Sequence, residues 1–251
     1  MKERGAGLLD AARSILLERG YHGLTMARIA QAVDCAKATV YQHFPCKEEI
    51  IIALAHRSIR LQGELVERAA RFSGRTRERM VAIGEATQLF ARLYPEDTRI
   101  FQLMNAEAIT QKVSQESLWR MRKAAHHTVS ILNGIVRDAI AQGDVAFDGG
   151  RTIEEFTYQI WLMGESSKAA MWSWMPCREL GIENPFDAMM HNGQLLGDAY
   201  GWRPLSSEWD YEKSLERIRR EVFPAESRKA YGLGRETQRG KEGVAGKEIS
   251  V

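Results

Sequence analysis

The chain has 251 residues, of which 44% are hydrophobic and 27% charged, and its 35 Lys and Arg nearly balance 33 Asp and Glu to leave a net charge of +2. No stretch reaches the roughly 20 apolar residues that span a bilayer, and the opening Met-Lys-Glu-Arg-Gly lacks the apolar core of a secretory signal. Three widely spaced cysteines, Cys35, Cys46 and Cys177, make neither a disulfide framework nor a zinc pattern, so a cytoplasmic protein with reduced thiols, no membrane partner, no metal site and no cofactor is expected.

A first helix is predicted from Gly5 to Arg19, with Leu8, Leu9, Ala12, Ile15 and Leu16 on one face, and Gly20 stops it. Thr25 then stands as the N-cap of a second helix carrying Met26, Ile29, Ala30 and Val33. Asp34 sits where the chain must turn sharply, at a position that favours a residue able to adopt the left-handed conformation. Cys35 plugs the turn, and a third helix runs from Ala36 to His43. On it Ala38 is small enough for close helix packing and Val40 and Phe44 point inward. Lys37, Thr39, Tyr41, Gln42 and His43 form the polar face. Pro45 opens a long helix, 47–72, that carries Lys47 at its start and Ile50, Ile51, Leu54 and Leu61 on its apolar stripe. A basic, hydroxyl-bearing helix held in a three-helix unit is suited to the DNA major groove, and residues 1–60 hold nine Lys and Arg against six Asp and Glu.

Ile29-Ala30, the Val33-to-Tyr41 turn and helix, and above all Tyr41-x-His43-Phe44-Pro45-x-Lys47-Glu48 resemble the DNA-binding domain of the TetR family of bacterial transcriptional regulators. The departures lie in the turn, where Asp34 replaces a glycine, Cys35 a valine and Ala36 a capping serine, and at Cys46, which replaces a second serine. The resemblance implies an all-α fold: a helix-turn-helix domain at 1–50 and a helical ligand-binding and dimerisation domain at 51–223, joined through the lever helix 47–72. It implies a double-stranded, pseudo-palindromic operator bound by a homodimer and released by a small-molecule effector, most simply as a repressor. Lys37 and Gln42 are the candidates for base contacts, and Thr25, Thr39, Tyr41, His43 and Lys47 for phosphate contacts.

Beyond residue 76 the pattern is helical throughout, with helices predicted at Thr76–Tyr94, Glu96–Ile109, Ser114–Gln142, Thr152–Met175, Pro185–Tyr200 and Ser207–Val222. The polar segment 224–251 reads as a disordered tail. The helix at 152–175 is apolar over most of its circumference and must be covered on more than one side. By the resemblance, it and 185–200 are the dimer helices, with Gly164, Gly193 and Gly197 allowing the subunits to approach. Phe90, Phe101, Met104, Trp119, Ile131 and Trp161, with His127 and Glu165 as polar partners, are the candidates for a largely apolar effector pocket. The alternative is an all-helical small-molecule-binding protein or enzyme with a vestigial helix-turn-helix, for which the chain offers no Gly-rich phosphate loop, metal-ligand spacing or Gly-x-Ser-x-Gly elbow.

Overall fold

The computed structural model describes residues 2–104, 106–147 and 149–232, and their secondary structure is entirely helical. Twelve α-helices follow in order: α1 (Lys2–Gly23), α2 (Met26–Ala32), α3 (Lys37–His43), α4 (Lys47–Ala70), α5 (Thr76–Leu93), α6 (Pro95–Leu103), α7 (Glu107–Thr110), α8 (Gln115–Gln142), α9 (Ile153–Ala170), α10 (Pro185–Ala199), α11 (Tyr211–Glu221) and α12 (Pro224–Tyr231). A short 3₁₀ turn, Cys177–Leu180, lies between α9 and α10. None of these helices is long and apolar enough to cross a membrane.

Two apolar cores share α4. Leu8, Leu16, Leu24, Ile29, Val40, Ile50 and Ile51 are all but sealed from solvent and hold α1, α2, α3 and the start of α4 together as a head. Each such side chain contributes about 1.5–3 kcal/mol when buried, enough to fix α2 and α3, which at seven residues each are too short to persist alone. Ile100 and Met121 from α6 and α8 join the same core, so the head is not a bead on a string. The second core surrounds the rest of α4, which packs most extensively on α5 and α8. Helices α9 and α10 lie against that centre, and α11 and α12 cover α5.

Local chemistry explains most of the boundaries. Gly20 takes φ +67°, a conformation open to glycine, and breaks the helical path of α1 there. The Thr25 hydroxyl accepts the Arg28 amide at 3.2 Å as the N-cap of α2. Asp34 has φ +48°, the one left-handed non-glycine backbone among the described residues. Thr152 and Glu155 form a reciprocal capping box that starts α9.

Four expectations are corrected. The helix predicted at 96–109 is two, α6 and α7. The helix predicted at 152–175 ends at Ala170, before Pro176. Ala38, assigned to helix packing, is exposed because α3 turns it outward beside Lys37. Within the supposed tail, 224–231 is helix α12, which starts at Pro224 and is tied down where Arg68 binds Glu226 and Tyr231 donates to the sealed Glu85 at 3.0 Å. The rest of that segment, 233–251, lies outside the described residues.

Candidate DNA interface and effector cavity

The outer face of α3 gathers Lys37, Tyr41 and Gln42, all exposed, with Thr39 and His43 half-buried at its margins. Lys37 and Tyr41 are one turn apart, and the Lys37 ammonium sits 5.7 Å from the Tyr41 ring centroid. This leaves the ammonium and the phenol pointing away from the head core, which Val40 anchors from the opposite side of the helix. Thr25 stands at the start of α2 with its oxygen engaged as a cap, yet its own hydroxyl proton remains able to donate. Lys47 does not join that face. Its Nζ donates to the Tyr21 carbonyl at 2.9 Å and lies 3.8 Å from the Tyr21 ring centroid, locking the end of α1 to α4. Arg28, which the sequence did not single out, is exposed beside Thr25 but donates to the Gly23 carbonyl at 2.7 Å.

Adjacent glutamates join the head to the body. Glu48 accepts from the Tyr21 hydroxyl at 2.6 Å and from Lys112 at 3.3 Å. Glu49 accepts from the Ser114 amide and the Ser117 hydroxyl, both at 2.6 Å, and so places a carboxylate at the N-terminus of α8. Burial pushes the Glu49 carboxyl up, but the bonds from Ser117 and Ser114 outweigh it and leave it below the ordinary range. Glu48 is held low in the same way, with Tyr21 as the main hydrogen-bond donor. On α6, Asp97 accepts from Arg13 of α1 and from Ser58 of α4, both at 2.8 Å. Charge-assisted bonds thus tie α6 and the start of α8 to the head.

The body holds a partly open cavity of about 110 Å³ between α4, α5, α8, α9 and α10. Its wall is mostly apolar, with Val66, Val81, Leu132, Phe156, Met189 and Trp202 among the lining residues. Ile59, Gln62 and Val66 of α4 border it directly, so the helix that starts at the head also forms the cavity wall. Arg77, buried at the far side, donates to the carbonyls of Trp202, Pro204 and Gln194 at 2.6–2.8 Å and pairs with Asp198 at 2.7 Å.

Of the eight residues proposed from sequence for the pocket, Phe101, Trp161 and Glu165 line this cavity. Phe90 is buried in the body core against Tyr94, and Ile131 is packed against that core, neither on the cavity wall. Met104 packs on the head-side core. Trp119 is 58% exposed with Lys123 over its ring. His127 is exposed and shares a hydrogen bond with Glu67 at 2.8 Å. The three glycines expected at a subunit contact, Gly164, Gly193 and Gly197, are placed at the cavity, Gly193 half-exposed with open space where a Cβ would stand. All line the cavity: a Cβ on Gly164 would meet Thr87 at 3.5 Å, and one on Gly197 would press on the Arg77 guanidinium at 3.0 Å. Missed by sequence was the polar cluster at the wall, where Lys168, 2% exposed, donates to Glu165 at 2.7 Å and Gln62 at 3.0 Å. The i, i+3 spacing of Glu165 and Lys168 was its only sequence signal.

Outside the cavity, α9 and α10 leave one face uncovered. Tyr158, Leu162 and Ala169 of α9 and Ala188, Leu195 and Ala199 of α10 are exposed at helical spacing.

Residues 8–54 match the sequence profile of the bacterial regulatory proteins, tetR family. The HTH-type transcriptional activator FasR of Mycolicibacterium smegmatis is 36% identical over 84 residues, which are 34% of this chain and 38% of that protein. The fatty acid metabolism regulator protein of Bacillus subtilis is 24% identical over 142 residues, 55% of this chain and 69% of that one. Among solved structures, FadR from Bacillus subtilis in complex with stearoyl-CoA superposes with a TM-score of 0.57 at 18% identity, covering 76% of this chain and 96% of that one. The curated matches thus span from about two fifths to two thirds of their relatives' length, while the structural match extends the fold likeness through the body.

Proposed function

We propose, from the match of residues 8–54 to the tetR family of bacterial regulatory proteins, that this chain is a homodimeric, effector-released transcriptional repressor. The observation that carries the reading is the outward face of α3, where Lys37, Tyr41 and Gln42 stand free on a helix fixed from behind by Val40. Gln42 and Lys37 read bases, the first suited to adenine and the second to guanine. Thr25, Thr39, Tyr41 and His43 set the register on phosphates. Lys47 has a bracing role on Tyr21 and reaches a phosphate only with the donors left over.

Two such heads are brought together by the uncovered face of α9 and α10, whose Tyr158, Leu162 and Leu195 need a partner to leave water. The cavity holds the effector. Because its wall includes α4, and because Glu48, Glu49 and Asp97 bind the head to α6, α7 and α8, an effector that favours one tilt of α4 changes the separation of the heads. A differential affinity of about 1–3 kcal/mol between the two states gives roughly 5–150-fold release. An effector with an apolar body fits the wall, in keeping with the acyl chain of the stearoyl-CoA held by the Bacillus subtilis neighbour in its own structure.

In vitro selection of duplex DNA on the purified protein tests the reading. An enriched palindrome is expected, bound by a dimer and weakened by Lys37→Ala or Tyr41→Ala without loss of the fold. Absence of any enriched sequence, or unchanged affinity in both variants, overturns it. Leu162→Glu with Leu195→Glu is expected to yield monomers by light scattering; an unaltered dimer removes α9 and α10 from the interface.

A further inference from the structure

Two cations stand at the cavity, Arg77 on its wall and Lys168 behind it on the lining residues Glu165 and Gln62, and neither has charge to spare. Arg77 is matched by Asp198, and its two terminal nitrogens also donate to the carbonyls of Trp202, Pro204 and Gln194 and to the Gln194 side-chain oxygen. Lys168 is matched by Glu165, also bonds the Gln62 side-chain oxygen, and lies 5.1 Å from the centroid of the Phe101 ring. Gln62, Glu165 and Phe101 all line the cavity. What this cluster leaves unused is hydrogen-bonding capacity without net charge. The Gln62 amide N–H groups and the second Glu165 oxygen have no partner among the described residues, and both side chains are half-buried at the cavity rather than sealed in the core.

We infer that the effector is an uncharged amphiphile, with an apolar body in the cavity and a single hydroxyl- or carbonyl-type head at Gln62 and Glu165. The head accepts from the Gln62 amide and, where it has an O–H, donates to the free Glu165 oxygen. A carboxylate would bring a second negative charge against Glu165 in a poorly solvated wall. An ammonium at the free Glu165 oxygen would set a second positive charge beside Lys168, on a carboxylate that carries only one negative charge. Either arrangement strands a buried charge, whereas a neutral head satisfies both free groups. The inference rests on the reading that this cavity is the effector site.

Calorimetric titration of the full chain with decanol, decanoate and decylammonium near neutral pH separates these cases. Decanol is expected to bind tightest, with decanoate and decylammonium weaker by roughly tenfold or more, the equivalent of about one charge-assisted hydrogen bond. Glu165→Gln should narrow or close the first gap: with Lys168 no longer neutralised, decanoate gains about tenfold over its binding to the unmodified protein. Decanoate or decylammonium binding the unmodified chain as tightly as decanol overturns the inference and leaves the cavity as effector site. Failure of Glu165→Gln to gain decanoate affinity while remaining folded also overturns it. If none of the three probes binds, the cavity is not the effector site and the inference falls with it.

Discussion

Replacing Arg77 by Met tests how the cavity floor is held. The methionine keeps most of the stem volume but removes the guanidinium that donates to three carbonyls and pairs with Asp198. Breaking one side of a buried ion pair costs about 3–5 kcal/mol. Asp198 keeps the Ser206 amide at 2.8 Å and is partly exposed, which places the expected loss near the lower end, about 3 kcal/mol. The three carbonyls stripped of their donor agree with that scale at roughly 1–3 kcal/mol each, reduced where water enters. For a chain of this size the melting temperature should drop by about 6–12 °C. Thermal and urea unfolding followed by far-UV circular dichroism measure it. A loss below about 1 kcal/mol would refute the view that Arg77 organises Gln194, Trp202 and Pro204. A double-mutant cycle with Asp198→Asn should show coupling of about 0.5–3 kcal/mol, since the two side chains touch.

Asp34→Gly should stabilise the head by up to about 1 kcal/mol and Asp34→Val should destabilise it by about 1–2 kcal/mol, because φ +48° suits glycine and opposes a β-branched residue; equal melting temperatures for all three proteins would contradict this. Cys46 starts α4 without a side-chain cap, so Cys46→Ser should add about 0.5–1 kcal/mol, read by the same unfolding curves, and no gain would mean the serine does not reach the α4 amides. Glu49 titrates below its ordinary 4.5, so its stabilisation is complete above that pH and is lost as pH falls through the lower folded value. Glu49→Gln should therefore make stability fall less steeply below about pH 4.5; identical slopes would detach Glu49 from the α8 start. Removing one phosphate-facing cation should lower the slope of log affinity against log salt by about 1. Lys37→Ala is expected to leave that slope nearly unchanged and to relax the operator sequence, and the opposite pattern would make Lys37 a phosphate contact.

The head was legible because its signals are local. Thr25 caps a helix that begins at the next residue, and Asp34 turns a chain whose flanking helices lie within ten residues on either side. The body was harder because its decisive contacts join distant residues. Gly164 and Gly197 read equally well as subunit contacts or cavity wall until the rotations of α9 and α10 are fixed by Thr87 and Arg77 on α5. Trp119 and Trp161 look alike in sequence, but one lies on the outside of α8 and the other turns inward. His127 finds Glu67 some 60 positions away, and Arg77 finds Asp198 from the other end of the body. Polarity misled at 224–231 as well, since α12 is held by one ion pair and one half-buried phenol rather than by an apolar stripe.

That last helix bears on how the protein can be handled. Phe223, directly before α12, is sealed in the core, and Glu85 beneath it depends on both Arg219 of α11 and Tyr231 of α12. Burial drives the Tyr231 phenol up, with the Glu85 charge adding to it, so the hydroxyl stays a donor at any ordinary pH. A chain trimmed at Val222 would take Phe223 out of the core and leave the buried carboxylate a donor short. Affinity tags, fluorophores and crystallisation truncations therefore belong after Gly232, where they leave this closure intact.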